Sequence, residues 1–536
     1  MEPMTSLPFG AHEAFRLAPI VVPALFGLVA LLADLFIGRS SGLRPDGGRT
    51  KTPLAIISVS GAALAAIGAI SLWRGDADQV QVAGSVAFSA FSAALAIAVL
   101  LGSVIMSMAA AHHDQGPDGA VRPTTHAHGE FYGLLLFATS GMLALVVAND
   151  LVTFFVALET LSIAVYAMTG LDRRRARSAE GAMKYFVLGA FSSGFLLYGM
   201  SLLYGATGTL RLSDMAALRE VSQHSHLATT GAVLVLVGLL FKVAAVPFHA
   251  WSPDAYEGAP SAVTGFMSVG VKVAAFAGSM RLVAALGESH ILGGGGAWAL
   301  WVVAALTIIG GNAGALTQRN PRRLLAYSSI AHTGYVLIGL IALARSFDPE
   351  HPSSGPVMVD AGKDAIAGVL FYLLAYAAAN ATAFAVLAHL ERDGKDIEDV
   401  GELAGLAKSQ PGVAAAMTIA LVSLAGIPAT GGFLGKLWVF RAGIAAGDVG
   451  LVVLALVTSA LSLYYYLSLV VAMYMREPGQ PGPDGSPTPL RDVSNDPRRW
   501  CSRLAIGLGA TLVLVLGLYP GQTLLRLVSA GAEALR

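Results

Sequence analysis

The sequence predicts an all-α polytopic membrane protein of 14 transmembrane helices, arranged around two five-helix units with one broken helix in each. Three observations predict it. Hydrophobic residues make up 55% of the chain and charged residues only 13%, where a soluble domain carries about 25% charge. Apolar runs of roughly 18 residues or more recur along nearly the whole length. Two of these runs, five spans apart, carry a lysine and are interrupted by proline or glycine. Helices are the expected spanning element because they satisfy their own backbone hydrogen bonds in lipid. The zero net charge gives no electrostatic case for nucleic acid as a partner.

The elements follow in order. Spans 17–37, 54–72 and 86–108 form an N-terminal group within 1–128, read from uninterrupted apolar composition. The chain opens MEPMTSLPFGAHEAFR, with acidic residues and no basic stretch before the first run, so that run is expected to be a retained helix. Residues 129–290 hold the first unit: 131–148, 151–169, 181–204, 229–250 and 261–286. Its first two helices are joined only by Asn149 and Asp150, a tight polar turn, and its fourth is expected to break at Pro247. Residues 291–476 hold the second unit: 297–317, 323–344, 365–390, 413–442 and 449–475. There the fourth helix is broken by Gly426-Ile427-Pro428-Ala429-Thr430-Gly431-Gly432. A final span, 504–525, lies in 477–536.

Arginine and lysine concentrate in cytoplasmic loops and so test the count. Fourteen spans with both ends outside place Asp172-Arg173-Arg174-Arg175 and Arg319, Arg322 and Arg323 inside, and leave Arg281 among the outer residues. Merging the spans on either side of Asn149 would put the strongest basic cluster on the wrong face. The loops 112–130 and 477–503 are rich in Gly, Pro and Asp and read as surface connections. The spacing of His112, His113, His126 and His128 matches no helix-borne ligand pair, so no metal site is expected there. The single cysteine, Cys501, excludes an internal disulfide and any thiolate-ligated cluster within this chain.

Charges inside spans are the candidate functional residues, because each costs about 2.5–3.5 kcal/mol to insert. Glu159 lies about 12 Å in from the start of its span. It either pairs with Lys242, whose span runs the opposite way at similar depth, or stays protonated and hydrogen-bonds a neighbouring helix. Lys272 lies halfway along its span with no reach to either surface. Lys436 follows the second helix break and either faces a wet interior or snorkels to the outer side. Lys184 begins a span, follows Glu180 by one turn, and is read first as half of an exposed helix pair. It stands with His332 and His389 as a possible further relay, histidine because its charge changes near neutral pH. The run Gly431-Gly432-Phe433-Leu434-Gly435-Lys436-Leu437 is no phosphate loop, since the glycine spacing is short and Leu437 replaces the magnesium-binding hydroxyl.

Val246-Pro247-Phe248-His249-Ala250-Trp251-Ser252-Pro253-Asp254-Ala255-Tyr256-Glu257-Gly258-Ala259-Pro260 resembles the signature of the antiporter-like membrane subunits of respiratory complex I and of multisubunit cation/proton antiporters. The Tyr-Glu-Gly-Ala-Pro ending is similar to the branch called subunit N of NADH–quinone oxidoreductase; sister branches carry histidine where Tyr256 stands. Residues 183–194 and 426–436 also resemble that branch, over roughly 129–474 in all. The resemblance implies two inverted repeats and proton translocation through Glu159, Lys242, Lys272 and Lys436. It implies no cofactor in this chain, with NADH, FMN, iron–sulfur clusters and quinone bound by other subunits. The implied partners are neighbouring antiporter-like membrane subunits and the lipid bilayer of a bacterial inner membrane. Two other readings share the buried charges: a subunit of an Mrp-type sodium/proton antiporter, and a non-conducting membrane scaffold whose charges fix helix register.

Overall fold

The computed structural model describes residues 15–40, 52–73, 80–82, 84–111, 129–173, 175–218, 226–348, 356–391, 396–477 and 499–535. The four histidines of the 112–130 loop and most of the 477–503 loop lie outside the described residues.

Twelve helices among the described residues are long and apolar enough to cross a membrane. Helices α1 (Ala18–Ser40) and α2 (Thr52–Trp73) lead to a short antiparallel hairpin, β1 (Val80–Val82) and β2 (Val86–Phe88), then α3 (Ala90–Ala109). The hairpin is an addition to the all-helical expectation. It lies at one end of the bundle, where Ser85 accepts the Asn149 amide at 2.8 Å and the Gly84 carbonyl accepts its side chain at 3.1 Å.

Helices α4 (Gly129–Val147) and α5 (Leu151–Thr169) are separate, as the Asn149-Asp150 pair predicts. Asp150 caps α5, accepting from the amides of Val152 at 2.9 Å and Thr153 at 2.8 Å. The two helices cross at Gly141, where a side chain would stand 2.7 Å from the Leu161 nitrogen.

Then come α6 (Ala176–Thr207), α7 (Leu212–Ala217) and α8 (His226–Lys242). The last is shorter than the expected 229–250 helix. It stops at Lys242, ahead of Pro247, because Ala244 takes a left-handed backbone (φ 56°) and the amides of Ala244 and Ala245 turn back to the carbonyls of Phe241 at 3.0 Å and Leu240 at 2.9 Å, closing the helix. A separate helix, α9 (Trp251–Gly258), follows. Nor is the expected 261–286 span one regular helix: α10 (Ser261–Phe266) passes through a π turn, Met267–Val271, into α11 (Lys272–Glu288).

Helices α12 (Gly293–Leu316), α13 (Pro321–Arg345) and α14 (Pro356–Leu390) continue the chain. After a short 3₁₀ turn (Val400–Leu403) and α15 (Leu406–Ser409), the second expected break is present between α16 (Pro411–Ala425) and α17 (Gly431–Ala445). Helix α18 (Val449–Met475) and α19 (Trp500–Leu518) follow. The last span ends earlier than the predicted 504–525, at Tyr519-Pro520-Gly521, and α20 (Gln522–Ala534) then buries Leu527, Val528 and Ala532 against α3 and α14.

The α10–α11 segment, α13 and α14 are walled by protein on all sides, whereas α1, α6, α12 and α18 expose Leu, Val, Ile and aromatic side chains outward. A membrane helix turned to lipid can carry only apolar residues on that face, so polar groups collect on the three interior helices.

At the end of the bundle opposite the hairpin, a network of ion pairs joins the two halves. Asp396 accepts from Arg175 at 2.7 Å, from the fully buried Arg322 at 2.9 Å and from the Ser261 hydroxyl at 2.5 Å. Arg323 pairs with Asp254 at 2.7 Å and Glu257 at 2.9 Å, and Arg177 with Glu257 at 3.1 Å. Arg322 also donates to the Ala259 carbonyl at 2.7 Å, while its Nε and Nη2 have no partner among the described residues. Asp396→Ala would leave Arg322 buried without a counter-charge and is expected to cost about 3–5 kcal/mol. Thermal unfolding of the detergent-solubilised protein measures this, and an unchanged midpoint would refute it.

Candidate functional site

The first candidate group lies where α8 ends. Lys242 is 3% exposed, and its Nζ donates to Ser162 Oγ and Tyr166 OH, both at 2.9 Å, above the Tyr166 ring. Glu159, Ser162 and Tyr166 share one face of α5 by helical spacing. The Glu159 carboxylate instead accepts from Ser193 Oγ of α6 at 2.5 Å and is only half-buried. The expected direct Glu159–Lys242 ion pair is therefore absent among the described residues. Because α8 stops at Lys242, its ammonium meets α5 one turn and two turns beyond Glu159, and hydroxyls fill the contact. Glu159 remains within electrostatic reach of Lys242.

The second group surrounds Lys272, the first residue after the π turn and 4% exposed. Its Nζ donates to the Ser329 carbonyl and, at 2.5 Å, to Ser329 Oγ. Ser329 Oγ meets Tyr376 OH at 2.7 Å, and Asn380 donates to Tyr376 OH at 3.0 Å and to Ser268 Oγ at 2.7 Å. Among the described residues, neutral oxygens alone therefore receive this ammonium. The π turn widens the helix by one residue and sets Lys272 towards α13, a placement that π turns often serve at functional positions.

His332 stands on α13, one turn past Ser328 and Ser329. Its Nδ1 is 2.5 Å from Tyr372 OH, and its Nε2 is 3.1 Å from Tyr466 OH, which meets Ser328 Oγ at 2.5 Å. It lies within electrostatic reach of both Lys272 and Lys436.

Lys436 is 5% exposed and does not snorkel. It bends back across the helix break and donates to the carbonyls of Leu424 at 3.0 Å and Ala425 at 2.9 Å, and to Ser459 Oγ at 2.7 Å. Those carbonyls are the orphaned acceptors of the last turn of α16, the negative end of its dipole. The break is left-handed at Gly426 (φ 82°), where a Cβ would come within 2.9 Å of Lys436 Cδ. The ammonium also lies over the Tyr335 ring at 5.1 Å; Tyr335 OH accepts from Asn312 at 3.1 Å, and Asn312 accepts from Tyr465 OH at 3.2 Å.

Two candidates stand apart, at the ion-pair end of the bundle. Lys184 makes the expected pair with Glu180 at 2.7 Å and a further one with Asp254 at 2.6 Å. Asp254 also accepts from Arg323 at 2.7 Å. His389 is buried, with Nδ1 2.7 Å from Ser502 Oγ and Nε2 3.0 Å from the side-chain oxygen of Gln410.

Sequence reasoning missed the hydroxyl partners, Ser162, Tyr166, Ser329, Tyr376 and Ser459. Tyr372 and Tyr376, one turn apart on an apolar helix beside Asn380, were the signal that could have found some of them. It also passed over Arg281 as a buried charge. That residue lies within α11, 7% exposed, held by the carbonyls of Val146 at 2.9 Å and Ala87 at 3.0 Å. No group of three or more His, Cys, Asp or Glu residues that could hold a metal occurs among the described residues.

The profile of the family described as "NADH:quinone oxidoreductase/Mrp antiporter, TM" matches residues 148–348 and 355–462. NADH-quinone oxidoreductase subunit N of Myxococcus xanthus is 38% identical over 523 residues, covering 94% of this chain and 95% of that protein. A chain of respiratory complex I from Thermus thermophilus superposes with a TM-score of 0.72 at 34% identity, covering 94% of this chain and 98% of that one. A chain of the Mrp complex from Dietzia has the same fold, with a TM-score of 0.77 at 24% identity over 98% of each chain. The chain belongs to the family of NADH:quinone oxidoreductase and Mrp antiporter transmembrane subunits.

Proposed function

We propose that this chain is a proton-translocating membrane subunit of an NADH–quinone oxidoreductase, of the subunit N kind, coupling quinone reduction by NADH to proton transport. The observation that carries this reading is the near end-to-end match to subunit N of Myxococcus xanthus. NADH, flavin, iron–sulfur clusters and quinone would be bound by other subunits of the translocase, and neighbouring antiporter-like subunits would flank this one in the bilayer.

In this reading the two broken helices each make one crossing, α8 with 243–258 and α16 with α17. Added to the twelve long apolar helices they give fourteen. The units 129–290 and 291–476 are then inverted repeats, and 1–128 and 477–536 flank them. The ion-pair end is the inner face and both termini lie outside.

Glu159, Lys242, Lys272 and Lys436 carry the proton. The three lysines are buried, each is served by oxygens that can accept from an ammonium, and each sits at a helix break or bulge. A disturbance from a neighbouring subunit at the half-buried Glu159 weakens the hold on the Lys242 proton, since an anion nearby favours the charged lysine. The proton passes by water and hydroxyls to Lys272 Nζ. His332, bonded to Tyr372 and Tyr466, bridges the interval to Lys436, which releases the proton outward. His389 and Lys184 stand on the uptake side.

Lys242→Ala and Glu159→Gln are expected to lower the proton-to-electron ratio in membranes with normal complex content. Parent-level pumping in both would sink the assignment. Gly426→Ala is expected to strain the left-handed break by about 1–2 kcal/mol and to push the Lys436 ammonium off its carbonyls. It should slow pumping more than quinone reduction; an equal loss of both, or none, would count against that role for the break.

A further inference from the structure

Asn380 stands on α14, 1% exposed, between the π turn and the group around Lys272. Its Nδ2 donates to Ser268 Oγ at 2.7 Å and to the hydroxyl of Tyr376, one turn back on its own helix, at 3.0 Å. Ser268 lies inside the π turn. Helix α10 approaches closely enough for this bond because of Gly265, where a side chain would stand 2.7 Å from Phe384 Cβ of α14. No step of the proton path given above uses this amide.

The hydrogen bonds around Asn380 run in one direction. Ser268 donates to the Gly265 carbonyl at 2.9 Å, which leaves its oxygen to accept from Asn380 and fixes which end of the amide faces the two hydroxyls. An amide nitrogen donates and does not accept, so Tyr376 OH is the acceptor of its second bond. The other group bonded to Tyr376 OH among the described residues is Ser329 Oγ, at 2.7 Å. A buried hydroxyl hydrogen without an acceptor is costly, so that of Tyr376 points to Ser329. Ser329 Oγ in turn meets Lys272 Nζ at 2.5 Å. While Lys272 is charged, its ammonium donates to that oxygen. Once the proton has left, Nζ carries a lone pair to which the Ser329 hydroxyl donates, with Tyr376 donating to Ser329 from behind. A hydrogen bond made to the neutral form of a group favours that form.

We propose that Asn380 is a positioning residue: it aims the Tyr376 hydroxyl at Ser329, so that Lys272 meets a donor as it gives up its proton. A hydroxyl side chain in its place could donate only once and would leave Ser268 or Tyr376 free to turn round. The bond to Ser268 ties this orientation to the π turn that sets Lys272 towards α13. The titratable groups facing Lys272 are His332 of α13, Tyr376 of α14 and Tyr256 of α9, whose hydroxyl lies beside Ser329 and Ser252. Helix α8 brings Lys242 at its end and α3 has no charged residue. The charges of α4, α7 and α11 itself, Glu130, Asp214, Arg281 and Glu288, lie nearer the ends of the bundle. The proposal rests on the lysine path given under Proposed function.

The test uses the whole complex in proteoliposomes, measuring the initial rate of NADH-driven pumping across a pH series with equal pH on both sides. Asn380→Leu keeps the volume and removes both donors. Tyr376 then turns away from Ser329, Lys272 holds its proton more firmly, and that proton leaves only at higher pH. The profile should therefore move upward by about half a pH unit, the order that one hydrogen bond supplies. A packing role alone would lower the rate equally at every pH. Tyr376→Phe should move the profile the same way, and the double variant no further, because Asn380 acts through that hydroxyl. A parent profile in Asn380→Leu would overturn the proposal, as would shifts that add in the double variant. Should Asn380→Leu fail to assemble, Asn380→Ser, whose side chain ends one bond short of Tyr376, carries the same expectation. Lys272→Met separates this proposal from the path beneath it. Pumping at the parent rate in that variant would strike the lysine path, and the role of Asn380 with it. Lost pumping there, beside a parent profile in Asn380→Leu, would overturn the role of Asn380 alone.

Discussion

Burying an ammonium where lipid excludes water is the constraint on which the rest of this structure depends. Each lysine needs about three acceptors, and a regular helix has none to spare because its carbonyls are already paired. The chain meets the demand by interrupting helices. Lys436 takes the two carbonyls that the end of α16 leaves open, with Ser459 as a third partner. Lys272 follows a π turn and takes both oxygens of Ser329. Lys242 closes a helix that stops at it and takes Ser162 and Tyr166. All these acceptors are neutral. A carboxylate at each lysine would hold its proton firmly; neutral oxygens hold the ammonium in place while leaving its charge weakly compensated, in keeping with the proton role proposed for these lysines.

Those interruptions are tolerated because they lie against protein. Three interior helices, the α10–α11 segment, α13 and α14, gather Lys272, His332, Tyr372, Tyr376 and Asn380 between them. The outer helices shield them with apolar faces. The ion-pair network at one end then fixes how the halves meet: Asp396 holds Arg175, Arg322 and the start of α10 together, four turns or fewer from the bulge at Lys272. At the other end Arg345 pairs with Asp448 and Arg441 with Asp364, both at 2.7 Å, while Arg281 is held by the carbonyls of Val146 and Ala87.

Much of the architecture was legible in the sequence because membrane helices obey a severe rule. A long apolar run leaves few alternatives to a spanning helix, and Asn149-Asp150 or the Gly426–Gly432 stretch leave few alternatives to a turn or a break. The charged residues inside such runs were equally visible, since nothing else in the composition explains Glu159, Lys242, Lys272 or Lys436. Periodicity reads a continuous apolar stretch as one helix. The π turn at 267–271 and the stop at Lys242 were therefore hidden: both change hydrogen-bond partners without changing hydropathy.

The sequence by itself determined that the chain crosses a membrane many times and buries particular charges, because transfer free energies belong to residues and add along a run. Which groups those charges meet was decided only by the tertiary structure. Ser162, Ser329 and Ser459 look in the sequence like any small residue of a membrane helix, and Glu159 looks like the partner of Lys242. Contact depends on how one helix is rotated and shifted along its axis relative to another, and here Glu159 meets Ser193 of α6 while Lys242 meets Ser162 and Tyr166. That rotation is set by close packing at positions such as Gly141 and by where each helix is broken, which is information held between segments rather than within them.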